Sequence, residues 1–233
     1  MTLVGEGFFS DIGGAGLGDG GRGGDAQWVS PLAELPGAVV LDDLDADQTG
    51  EGNFEEATGG AENTAQESDA AGYGAIAHYG DPSGEQWALE DGRALVDRPD
   101  LAIVEVGGPD RLTWLTSISS QVLTGIEAGE SRELLILDPQ GHIEYAAGVI
   151  DDGEMLYLVT ERSSAQGLAD WLNSMRFALR VEVTLSQRWW ILGSVGNSGI
   201  SNYEQVEMTW NDPWPGVVDG GAEYFRGSHP GKN

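Results

Sequence analysis

The chain has 233 residues, no cysteine, 36 glycines and a formal charge of −28 from 39 acidic and 11 basic side chains. The missing cysteine excludes disulfides, thiolate catalysis and cysteine metal sites. A charge of this sign repels phosphate, so neither a direct nucleic-acid partner nor a membrane is expected. Both halves share it: residues 1–77 hold one basic group, Arg22, and the short basic run Arg176, Arg180 and Arg188 comes late.

Residues 1–30 are glycine-rich and expected to be unfolded. Residues 31–41 form a short apolar island, and residues 42–72 are an acidic low-complexity linker. Residues 1–77 together read as a disordered tail. The first ten residues lack the basic region and apolar core of a signal peptide, and no window has the length of a membrane span. A cytoplasmic protein is the expectation.

Punctuation changes at His78. Asp81-Pro82 supplies an N-cap and a first-turn proline for a helix running to about Leu95. Residues 101–106 read as a strand, and Gly108-Pro109-Asp110 opens a helix with Leu112, Leu115 and Ile118 on one side. Strands follow at 131–137 and 142–150, joined by Asp138-Pro139-Gln140-Gly141 with proline and glycine where a type I turn favours them. Asp151-Asp152-Gly153 turns into a strand at 154–160. Ser163 and Gln166 suggest a capping box, ahead of an apolar stripe of Leu168, Trp171, Leu172 and Met175. Strands at 178–184 and 188–193 complete the unit, with a weak strand near Val206–Trp210. The order β-α-β-β-(β)-α-β is the split βαβ, ferredoxin-like pattern with one extra strand, so the fold class is α+β over residues 78–195. Residues 196–233 read as irregular.

Several motifs have bland explanations. Gly16-Leu-Gly18-Asp-Gly-Gly21 fits G-x-G-x-x-G but lacks the strand and helix that would bring pyrophosphate to backbone N–H groups. Asp45, Asp47, Thr49, Gly50 and Glu56 have calcium-loop spacing, yet nearby glycines cut off the flanking helices, so an acidic linker is preferred. His78, His142 and His229 are far apart, and no G-x-S-x-G elbow occurs. Trp189-Trp190 should place one ring in the core and one at a surface or pocket.

The segments His78-Tyr-Gly-Asp-Pro-Ser-Gly-Glu-Gln86, Val106-Gly-Gly-Pro-Asp-Arg-Leu-Thr-Trp-Leu115, Ser120-Gln121, Leu135-Ile-Leu-Asp-Pro-Gln-Gly-His142 and Met175-Arg-Phe-Ala-Leu-Arg-Val181 resemble the YgfZ-type folate-binding proteins, relatives of the glycine-cleavage T-protein. The resemblance covers about residues 78–193. It implies a folate-binding α+β domain acting with tetrahydrofolate or a related pterin, and a role in assembling or repairing iron–sulfur clusters in client proteins, tRNA-modifying enzymes included. The family's K-G-C-Y-x-G-Q-E motif is absent here, so the sequence is expected to match the front portion of a family member. The T-protein has a catalytic aspartate in the strand after the turn at Gly141, where Glu144 is this chain's only carboxylate. A non-catalytic interaction module and a tetrahydrofolate-dependent aminomethyltransferase are the alternatives. A pterin needs a stacking face and a partner for its hydrogen-bonding edge. Position around the central hairpin suggests Gln121, Asp138, Glu144 and Tyr145 as contacts, with Trp114 and Tyr224 as walls.

Overall fold

The computed structural model describes residues 1–4, 32, 36–40, 75–195 and 206–211. Its elements in chain order begin with β1 (Thr2–Val4), β2 (Val39–Val40), β3 (Ile76–His78), α1 (Pro82–Glu90), β4 (Val96–Asp97), β5 (Leu101–Gly107) and α2 (Arg111–Ile118). They continue with β6 (Ser131–Leu137), β7 (Ile143–Asp151), β8 (Met155–Glu161), α3 (Arg162–Met175), β9 (Glu182–Ser186), β10 (Trp190–Gly193) and β11 (Val206–Thr209).

Five strands form an antiparallel sheet in the order β6-β7-β8-β5-β9. Both β8 and β9 run antiparallel to β5 between them. They are therefore parallel to each other, and α3 is the crossover joining them. This is the α+β, split βαβ arrangement with an extra strand.

Period-two alternation gives this sheet two apolar faces. Val104, Val106, Leu134, Ile136, Ala147, Val149, Leu156 and Leu158 pack against Trp114 and Leu115 of α2 and Ala165, Leu168 and Leu172 of α3. On the other face Leu101, Ile103, Ile150, Tyr157 and Val159 meet Leu3, Trp189 and Ile191. Those last residues belong to, or directly precede, strands of a second sheet ordered β11-β1-β10-β4. The result is three layers, with the five-stranded sheet in the middle. Full burial of Leu3 and Val4 stabilises the outer sheet by roughly 1.5–3 kcal/mol per side chain.

This corrects the expectation for the start of the chain. Residues 2–4 are not tail but a central strand, paired with β10 on one side and β11 on the other. Averaging composition over 30 glycine-rich residues hides three that can fill such a slot. Part of the apolar island also pairs, with β2 against β3. The G-x-G-x-x-G and calcium-spaced motifs lie outside the described residues.

Other differences are local. Helix α1 stops at Glu90 rather than Leu95, with Gly92 in the left-handed region at φ 68°. The capping box does not form. Helix α3 starts two residues earlier, at Arg162 with Glu161 as its cap; the Arg162 guanidinium donates to the carbonyls of Pro99 and Leu101, while Gln166 bonds Asp170. Strand β9 begins at Glu182 because residues 176–180 are spent turning out of α3, with Phe177 at φ 44°. Trp189 and Trp190 are both buried, so the outer side of the second sheet is covered at that point too.

Candidate functional site

Strand β7 decides how the hairpin candidates are shared out. Tyr145, Ala147 and Val149 face the helices, while Ile150 belongs to the other face. Ile136 pairs with Tyr145 and Leu137 with Ile143, so Glu144 stands at a bulge between them, where alternation does not set its side. Tyr145 is half-buried against Trp171 of α3, with ring centroids 6.4 Å apart and planes inclined at 51°. A Cβ at Gly167 would sit 3.1 Å from the Tyr145 hydroxyl, so a glycine inside α3 lets the phenol lie against the helix. Glycine costs about 1 kcal/mol relative to alanine in a helix interior, and this close approach is a reason to carry it.

The remaining candidates scatter. Trp114 shares the helix-side cluster with Tyr145 but is a core residue, 4% exposed. Gln121 is equally buried, just beyond the point where Ser119 bridges to Ile136 and the Ser120 N–H donates to the Leu135 carbonyl. That segment closes part of the outer edge of β6. Asp138 is used by its own turn: Oδ1 accepts from the N–H groups of Gln140 and His142, and Oδ2 meets His142 Nδ1 at 2.8 Å. Desolvation alone would raise its pKa, but the bonds from His142, Gln140 and Gly141 outweigh it and hold the carboxyl below its ordinary value. Glu144 is exposed, and Tyr224 lies outside the described residues. The structure thus puts Trp114 and Tyr145 on the helix-facing side of the sheet and leaves Glu144 exposed at the bulge beside Tyr145. It adds Trp171, which sequence spacing assigned to packing alone. The available signal was Gly167, one helical turn before Trp171 on the same side of α3.

Two polar clusters lie elsewhere. At the end of the sheet where β5 finishes, a Cβ on Gly108 would fall 2.1 Å from the Arg180 carbonyl oxygen, so only glycine, at φ 102°, fits there. Asp110 accepts from the Arg180 backbone N–H at 2.9 Å and from its Nη2 at 2.6 Å, and these bonds hold the Asp110 carboxyl below its ordinary value. Arg111 beside it donates from Nε and Nη2 to the two oxygens of buried Asp151, each at 2.9 Å, and to the Gly153 carbonyl.

The second cluster lies between the sheets. Glu105 Oε1 accepts from Ser186 Oγ at 2.9 Å and from Trp189 Nε1 at 2.8 Å. The Arg188 guanidinium sits 4.3 Å from the Trp189 ring centroid, and Tyr157 meets that ring edge-on. The Tyr157 hydroxyl donates to Asp152 Oδ2 at 2.9 Å. Burial, then that bond, raises the Tyr157 pKa. Among the described residues no group of three or more histidines and carboxylates could hold a metal ion, and no helix is long and apolar enough to cross a membrane.

No family model matches the sequence, and no curated protein matches it. Among solved structures, the chain is similar to the glycine cleavage system aminomethyltransferase T from Bartonella henselae at 19% identity and a TM-score of 0.39. The similarity covers 42% of this chain and only 27% of that one. A likeness of this size carries no chemistry from that protein to this chain.

Proposed function

We propose that this chain binds tetrahydrofolate or a related pterin, as an accessory protein in the assembly or repair of iron–sulfur clusters that serve tRNA-modifying and other enzymes. The half-buried Tyr145–Trp171 pair carries the binding part of this reading, because it is an aromatic seam on which a flat heterocycle can stack. The motifs resembling YgfZ-type proteins carry the accessory role. Two of them meet in space, since Asp110 from the first clamps Arg180 from the second.

The fit is to the flat face of a pterin and not to its hydrogen-bonding edge. Asp138 is engaged in its turn and does not serve that edge, while Glu144 is exposed at the bulge beside Tyr145. The test is tetrahydrofolate titration of the purified chain, with Tyr145→Ala and Glu144→Ala in parallel. Saturable binding, weakened roughly tenfold by Tyr145→Ala and unchanged by Glu144→Ala, is the expected result. Absence of binding by folded protein would leave the interaction-module reading in its place.

A further inference from the structure

We propose that Asn173 and Arg176 guard the outer edge of β9 against pairing with a second copy of this chain. Strand β9 ends its sheet, and among the described residues nothing pairs with its outer side. An edge strand presents a row of N–H and C=O groups that templates another strand unless something occupies them. Here two carbonyls in that row are taken from above by the end of α3 and the residue after it. Asn173 Nδ2 donates to the Val183 oxygen at 3.3 Å, and Arg176 Nη1 to the Val181 oxygen at 3.5 Å.

The register makes these positions the outer ones. Backbone groups of alternate residues point to opposite sides of a strand, so Val181, Val183 and Leu185 share the outward row. Their side chains meanwhile pack toward the helices. Asparagine is a poor choice in a helix interior, because its amide competes for backbone hydrogen bonds. Asn173 holds both its own helix, through the Ala169 carbonyl at 3.0 Å, and the neighbouring strand. That bridging explains an otherwise costly residue. A second copy is the natural occupant, since two β9 strands related by a twofold axis offer each other the same alternating row of donors and acceptors.

The test is sedimentation velocity on the full chain carrying Asn173→Leu and Arg176→Met. Its average mass should climb with concentration toward twice that of the parent, across a range in which the parent does not change. Adding Thr184→Lys, at the exposed middle of β9, should restore the behaviour of the parent by opposing like charges across the new pair. The proposal is overturned if the double variant, with the circular dichroism and melting of the parent, sediments like the parent at every concentration. It is equally overturned if Thr184→Lys leaves the association intact. Should Asn173→Leu unfold the helix, Arg176→Met alone decides, because that site is exposed: association above the parent supports the guard, and none contradicts it.

Discussion

Arg111 and Asp151 form the most deeply buried ion pair among the described residues, with side chains 10% and 2% exposed. Two forked bonds, together with Gly153 as a further acceptor, answer the charge that burial would otherwise strand. Arg111→Met leaves the Asp151 carboxylate buried without its counter-ion and should cost about 3–5 kcal/mol, read from urea denaturation. Nothing in the sequence announces this pair, because its members are 40 positions apart, one opening a helix and the other ending a strand. Asp138 is the opposite case. Its place before proline and glycine declares a turn, and the turn consumes the carboxylate that was also a candidate ligand. Phe177 shows a different limit: it takes a left-handed backbone inside the turn closed by the Leu179 N–H on the Arg176 carbonyl, a conformation its side chain does not announce.

Elements were legible where a repeating pattern or a stop signal fixed them. The hairpin around 138–141 and the apolar stripe of α3 are local, so β6, β7, β8 and α3 emerge close to their expected bounds. The second sheet is another matter. Its strands β10 and β11 fall within the expected stretches 188–193 and 206–210, but β1 and β4 are two or three residues long, too short for alternation to register, and only packing selects them. Trp210 illustrates how: its indole N–H donates to the Arg132 carbonyl at 2.8 Å while its ring lies over Gly148. A Cβ at Gly148 would come within 2.9 Å of that ring. Gly148→Val should therefore displace Trp210 and cost about 1–3 kcal/mol, seen as lost near-ultraviolet dichroism and an earlier urea midpoint.

At the scale of the whole molecule, a charge of −28 opposes compaction, and acidification relieves that repulsion. Individual carboxylates pull the other way. Burial would raise the pKa of Asp152, but the N–H groups of Met155 and Glu154, the Tyr157 hydroxyl and the Arg111 charge together hold it below its ordinary value. A depressed folded value means that its contribution is complete above the unfolded value of about 3.9 and fades as pH falls through the lower folded one. The difference in urea midpoint between parent and Asp152→Asn should thus stay level from neutrality to about pH 5 and shrink below about pH 4. A difference that grew on acidification would contradict this.

The site was legible only in part: Tyr145 came from its place in the hairpin, whereas its partner Trp171 sits on an element whose stripe looks like core. The most direct measurement is therefore calorimetric tetrahydrofolate binding by parent and Trp171→Phe, with tryptophan fluorescence followed in the same samples. A ligand stacked on the seam should bind Trp171→Phe with an affinity within a few-fold of the parent, since an aromatic ring remains, yet quench far less of the fluorescence. Undiminished quenching in Trp171→Phe would place the ligand elsewhere, and no heat of binding in either protein would remove folate from the account.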